Sequence, residues 1–215
     1  RLICAVAEVI NADADAAGRL QVVFLPDYNV SNAEVIIPAS DISQHISTAG
    51  TEASGTSNMK FVLNGGLILG TLDGANIEIR EEMQRVGGRD DGMFVFGATA
   101  DQVEDLRHAV RYGKVSRDPH LQRVIAAIQA GRFGDPEAFQ PLLDTLQADF
   151  YLVGPDFASY LEAQAAVDAA YRDKRGWAAR SLRAAASMGK FSSDRSIREY
   201  ACDIWNISAC PLPKN

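Results

Sequence analysis

GTEASGTSNMKF, residues 50–61, is a run of small polar residues between two glycines that ends in a lysine at the head of an apolar segment. Gly50 and Gly55 allow the backbone to approach a ligand closely. Met59, Leu63 and Leu67 then recur at spacing four, which gives the run from Asn58 to Leu69 helix-forming content. A glycine loop feeding a helix presents unpaired N–H groups and the positive pole of the helix dipole, an arrangement suited to a phosphate. Thr56 and Ser57 fall where their amides and hydroxyls would meet that anion. Lys60 lies four residues after Thr56, roughly 6 Å further along the axis, with a side chain that leans back toward the same end. A small molecule with a phosphate at one edge and an electrophilic carbon at the other would meet both. Pyridoxal phosphate, held by a lysine as a Schiff base, is such a molecule.

Spacing alone leaves three rivals open. Residues 50–57 nearly spell the nucleotide loop GxxxxGK[ST], but Thr56 stands where the lysine is required, and no clear strand is read before the loop. Ser57-Asn58-Met59-Lys60 matches SxxK, the motif of serine acyl-enzymes, without a Ser-Asp-Asn or Lys-Thr-Gly companion. The plainest reading is a glycine turn that starts an ordinary helix and leaves Lys60 in solvent.

The wider chain narrows the classes. Its 215 residues are 47% hydrophobic and 23% charged, enough for a sizeable core. A formal net charge of -7 argues against a nucleic-acid groove or an anionic membrane surface, and favours a small or neutral substrate. Cys4, Cys202 and Cys210 are few and match no zinc spacing, which fits a reduced compartment such as the cytoplasm. No stretch reaches the ~18 apolar residues of a spanning helix, and the N-terminus does not have the layout of a signal peptide. Residues 1–10 already show helical spacing at Leu2, Val6, Val9 and Ile10 with no Met and nothing before them to cap a helix, so the chain reads as part of something longer.

Two regions follow from the periodicity. Residues 1–98 read as α/β, part of a sheet with strand-like runs at 20–25, 34–37, 67–69, 76–79 and 93–96. Residues 99–215 read as helical. Thr99 and Gln102 predict a capping box, Leu121 to Ile128 form a stripe ending at Gly131, and Asp135-Pro136 opens a helix bearing Phe139, Leu142, Leu143 and Leu146. Further helices are expected around Phe157 to Tyr171 and Trp177 to Met188. A last one is expected to be boxed by Ser196 and Glu199, and residues 206–215 are expected to fray.

Glu52 to Phe61, followed by Leu63-Asn64-Gly65 and by Gly70-Thr71-Leu72-Asp73-Gly74-Ala75-Asn76, resembles the cofactor-lysine segment of the glycogen (α-1,4-glucan) phosphorylases. FLPDYNVS (24–31), ISTAG (46–50), GKFSSDR (189–195) and the stretch 200–205 agree with the same family, so the resemblance covers essentially the whole chain. It implies a Rossmann-like part of the C-terminal domain of a GT-B glycosyltransferase architecture, with residues 1–98 a cofactor-binding region and 99–215 a helical region of the same domain. It also implies that Lys60 carries pyridoxal 5′-phosphate, that the amides of Thr56 and Ser57 grip its phosphate, and that Tyr28 lies beside it. Glu52, Ser54 and Gly55 match positions that bind glucosyl hydroxyls. The implied reaction transfers a terminal glucosyl unit from α-1,4-glucan to inorganic phosphate, giving α-glucose 1-phosphate with retained configuration, the cofactor phosphate acting as proton shuttle. The implied assembly is a cytoplasmic homodimer.

The chain departs from the family at Ser57, where many relatives have glycine. The family's arginine and lysine that hold the substrate phosphate, and its N-terminal domain, lie upstream of anything in this sequence, so the 215 residues alone are expected to be inactive and to bind the cofactor weakly. Two other classes stay in view: a regulatory or interaction module with the same fold, and the SxxK acyl-enzyme. The remaining chemistry-bearing residues take plain readings. His45, His108 and His120 have no metal spacing and read as surface or turn residues. Cys4 reads as core filling, Lys190 and Arg195 as a solvated loop, and Asp73-Gly74 as a turn.

Overall fold

A computed structural model of the chain describes residues 1–88 and 92–210. Its centre is a parallel sheet of three strands in the order β1 (Ile42–His45), β2 (Leu67–Gly70), β3 (Met93–Val95). The register pairs Ile42 with Leu67 and Ile68 with Met93. Helix α3 (Ser57–Leu63) joins β1 to β2, and α4 (Ala75–Gly87) joins β2 to β3. Two consecutive β–α–β units result, as parallel neighbours require.

Leu67, Ile68 and Leu69 of the middle strand are wholly buried. They are covered by Val62 from α3 and by Ile79 and Met83 from α4. The same core takes Ala163 and Val167 of α8 (Val153–Arg172) with Trp177 and Ala184 of α9 (Lys174–Ala186). A strand buried on both faces reads as a continuous apolar run rather than an alternation, which is why Leu67–Gly70 is legible in sequence. The other elements are α1 (Leu2–Ala12), α2 (Val30–Ile36), α5 (Val103–Arg111), α6 (Pro119–Gln129), α7 (Gln140–Ala148) and α10 (Ser193–Glu199). Among the described residues, no helix is long and apolar enough to cross a membrane.

Several expectations are corrected. Residues 34–37 lie at the end of helix α2, whose N-cap Asn29 accepts a hydrogen bond from the Asn32 N–H. Residues 76–79 open α4, where Ile79 and Met83 repeat at helical spacing. Both runs are four residues long, too short for periodicity to tell strand from helix. Residues 20–25 form no strand among the described residues, and Leu20, Val23, Phe24 and Leu25 are all exposed. An apolar run becomes a strand only beside a partner edge.

Strand β1 was not foreseen, because its sequence Ile-Ser-Gln-His carries one apolar residue. Of the expected box at Thr99 one arm forms, with Gln102 Oε1 accepting from the Thr99 N–H at 3.0 Å. The last helix starts at Ser193 with Ser192 as N-cap, ahead of the expected box, and is followed by a π-helical turn over Tyr200–Ile204. Cys4 is exposed rather than in a core. Of the tail expected to fray, residues 211–215 lie outside the described residues.

Candidate active site

The loop at residues 46–56 lies between β1 and α3, so a strand does precede it, contrary to the expectation. That removes one of the two grounds against a nucleotide loop. The other stands, since Thr56 occupies the lysine position.

The loop is held from the next crossover. The carboxylate of Asp73, buried in the β2–α4 turn, accepts from four backbone N–H groups: Gly50 at 2.9 Å, Thr51 at 3.2 Å, Glu52 at 2.9 Å and Gly74 at 3.0 Å. A carboxylate can accept four such bonds, and charge-assisted ones are the stronger kind. The Ala75 N–H, at the start of α4, donates to the Ser54 carbonyl at 2.6 Å. Gly74 between them has φ +50°, and a Cβ there would lie 2.5 Å from that same carbonyl oxygen, so only glycine fits. Asp73 is therefore more than a turn residue: it fixes the path of residues 50–52.

A second set of bonds holds the start of α3. Asn58 Nδ2 donates to Asn76 Oδ1 at 2.9 Å, and Asn76 Nδ2 donates to the Thr71 carbonyl at 3.0 Å. The Thr71 hydroxyl donates to the Ser47 carbonyl at 2.7 Å. Thr48 Oγ1 donates to the Tyr151 carbonyl at 2.8 Å, tying the loop to the segment before α8.

The structure brings Glu52, Ser54, Gly55, Thr56, Ser57 and Lys60 together on one loop–helix junction. Gly55 has φ +81°, Thr56 is the N-cap of α3, and its side chain makes no capping bond. The N–H groups of Thr56, Ser57 and Asn58 have no hydrogen-bond partner among the described residues. Lys60, whose N–H donates to the Thr56 carbonyl at 3.3 Å, is exposed, and no salt bridge engages its amine among the described residues. Three free N–H donors one turn from an uncommitted amine fit a molecule that combines an anionic group with a carbonyl carbon, so the donor set suits pyridoxal phosphate. No hydrogen bond joins Ser57 to Lys60 among the described residues, as an activated serine would require. Tyr28 is exposed between Asp27 and α2, with no hydrogen bond or ring contact to the loop among the described residues.

His45, read as a surface or turn residue, instead ends β1 half-buried. Its ring meets Phe61 edge-on with centroids 6.2 Å apart, and Nε2 shares a 2.9 Å hydrogen bond with the Ser43 hydroxyl. Burial lowers its pKa, and the Glu52 carboxylate pulls it partly back up. A depressed folded-state pKa means that the fold favours the neutral ring. The stability this provides is present above the unfolded pKa of about 6.5 and is lost as pH falls through the folded value. The melting temperature of a polypeptide at the full length of its relatives is therefore expected to fall more steeply below about pH 6.5 than that of its His45→Gln variant. A difference that stays flat from neutrality to pH 5 contradicts the assignment.

Sequence reading missed Asp73, Asn58 and Asn76 as determinants of the site. The signal was present: two buried-type polar residues, Asp and Asn, follow the apolar strand β2 in Thr71-Leu72-Asp73-Gly74-Ala75-Asn76, where an ordinary turn asks for one.

Comparison with known proteins shows the same segment in a larger context. The profile of the carbohydrate phosphorylase family matches residues 1–207. The chain is 52% identical to the cytosolic alpha-glucan phosphorylase 2 of Arabidopsis thaliana, over 99% of its own length and 25% of that relative. It is 53% identical to the H isozyme of alpha-glucan phosphorylase from Triticum aestivum, over 99% of its own length and 26% of the relative. Against the glycogen phosphorylase of Saccharomyces cerevisiae it is 48% identical, with 96% and 23% covered. The chain thus spans about a quarter of the length of the curated relatives it matches.

Proposed function

Because the chain belongs to the carbohydrate phosphorylase family, we propose that it forms the cofactor-binding part of an α-1,4-glucan phosphorylase, in which a terminal glucosyl unit passes to inorganic phosphate to give α-glucose 1-phosphate. The observation that carries this reading is the junction of loop and α3, where three N–H groups with no partner among the described residues stand within a turn of Lys60. The parallel β–α–β–α–β unit supports a Rossmann-like domain of GT-B architecture, with residues 1–98 and 99–215 as its cofactor-binding and helical regions. Homodimeric assembly rests on the family alone. A cytoplasmic location is supported by the name of the Arabidopsis relative.

When bound, pyridoxal phosphate would supply a phosphate whose second pKa of about 6 lets it give and take a proton near neutrality. Each residue of the chain then has a defined task. Lys60 holds the cofactor by its amine. The amides of Thr56 and Ser57 bind the anionic end with fixed dipoles that need no reorganisation. Ser57, at a position where the resemblance implies glycine in many relatives, still offers its N–H.

Glu52 and the Ser54 and Gly55 backbone face the sugar hydroxyls. The Ser54 carbonyl is committed to Ala75, while its N–H has no partner among the described residues and remains available. Tyr28 is proposed to lie beside the cofactor. The 215 residues alone, about a quarter of the length of these relatives, are proposed to be inactive.

The test is direct. Borohydride reduction of the full-length holoenzyme is expected to leave a pyridoxyl group on the peptide that contains Lys60. A labelled lysine elsewhere, or none, refutes the assignment.

A further inference from the structure

We infer that the buried Asn58–Asn76 amide pair is a positioning device for Lys60, setting the rotation of α3 so that the lysine faces the open side of the loop. The inference rests on the reading of Lys60 as the cofactor lysine. Helix α3 has only seven residues and no side-chain cap at Thr56, so neither length nor capping fixes its orientation. Asn58 is the polar side chain that this helix buries, at 3% exposure, and Asn76 is equally buried.

The bonds run in one direction. The Thr71 carbonyl accepts from Asn76 Nδ2, so Asn76 Oδ1 must face Asn58 Nδ2, and Asn58 Oδ1 accepts from the Met59 N–H at 2.9 Å. Thr71 is itself fixed, its N–H donating to the His45 carbonyl at 3.1 Å. An unbroken set of hydrogen bonds therefore leads from the end of β1, through the β2–α4 turn, to the first turn of α3.

Lys60 follows Asn58 by two residues, about 200° around a helix. Anchoring Asn58 inward thus turns Lys60 outward. An apolar residue at position 58 would bury as well but would not select one rotation, because hydrophobic contact is non-directional whereas an amide pair is directional. Gly55, at φ +81°, lies beside the Asn58 amide, where a Cβ would be 3.4 Å from Nδ2.

The experiment uses full-length polypeptide with Asn58→Ala, Asn76→Ala and both together. Two quantities are measured: the dissociation constant for added pyridoxal phosphate, followed by the absorbance of the bound cofactor, and the melting temperature of the cofactor-free protein. Each single variant is expected to weaken cofactor binding about tenfold or more, the double no further than the worse single, because the two amides act as one unit.

Asn58→Asp supplies the check on folding and a readout that mere destabilisation does not move. Its carboxyl donates to Asn76 Oδ1 only when protonated, so its affinity relative to Asn58→Ala is expected to recover as pH falls. Variants that melt earlier yet bind the cofactor within twofold of wild type overturn the inference, as does an Asn58→Asp variant whose affinity relative to Asn58→Ala is independent of pH. A wild type whose Lys60 takes no pyridoxyl label overturns the reading of Lys60 and the inference with it; a labelled Lys60 with unchanged variant affinities overturns the inference alone.

Discussion

Replacing Lys60 with alanine in the full-length polypeptide is expected to lower glucose 1-phosphate release at least about a thousandfold while leaving the melting temperature of the cofactor-free protein almost unchanged. The two halves of this expectation have separate causes. Lys60 is exposed, its amine makes no salt bridge among the described residues, and alanine is the better helix former, so the fold loses nothing measurable. The backbone carbonyl of Lys60, which accepts from Asn64 Nδ2 at 2.8 Å, survives the substitution. What disappears is the amine proposed to hold the cofactor.

Lys60→Arg sharpens the test. It keeps the positive charge, but a guanidinium stays protonated at any working pH and cannot act as a nucleophilic amine. A solvated, ornamental lysine predicts near-normal turnover for both variants, and near-normal turnover in Lys60→Arg is enough to reject the covalent role. Phosphorolysis assays and cofactor content after desalting separate the two cases.

Asp73→Ala is expected to cost about 3–5 kcal/mol of stability and to loosen residues 50–52. Four N–H groups converge on that carboxylate, and water would have to enter a buried turn to satisfy them once it is gone. The contributions do not add simply, because the donors share one acceptor group. Asp73→Asn preserves the shape yet turns an NH2 toward either Gly50 and Gly74, which bond Oδ1, or Thr51 and Glu52, which bond Oδ2. It is expected to fall between wild type and alanine. Melting temperature and amide hydrogen exchange at residues 50–52 check both variants; unchanged protection in Asp73→Ala rules out the anchoring role.

The comparison of sequence and structure divides along one physical line. Elements defined by their own periodicity were legible, β2 as an unbroken apolar run and α6 from the stripe ending at Gly131, whereas the spacing of Met59, Leu63 and Leu67 misplaces α3: the helix ends at Leu63, Leu67 belongs to β2, and Val62 rather than the exposed Leu63 is buried. Elements defined by a neighbour were not legible. β1 is a strand because it pairs with β2, and nothing in Ile-Ser-Gln-His announces that. Residues 20–25 have the composition of a strand and no pairing among the described residues.

The site divides in the same way. The loop, Thr56, Ser57 and Lys60 are adjacent in sequence and were read together. Asp73 and Asn76 act over more than fifteen residues of separation, so their roles appear only once β2 has brought the next turn back against the loop. Tyr28 was carried by resemblance alone, and no contact among the described residues ties it to the junction.

Within residues 50–52 the bonds to Asp73 come from main-chain amides alone; Gly50 is set by its φ of +84° and Thr51 by its hydroxyl bond to the Thr48 carbonyl, but at Glu52 the anchor does not involve the side chain. The Glu52 side chain can therefore be exchanged in a library while its N–H keeps the bond to Asp73. If Glu52 meets the sugar as proposed, ligand preference and scaffold integrity are separately adjustable at that position, and altered selectivity can be sought there at little risk of collapse.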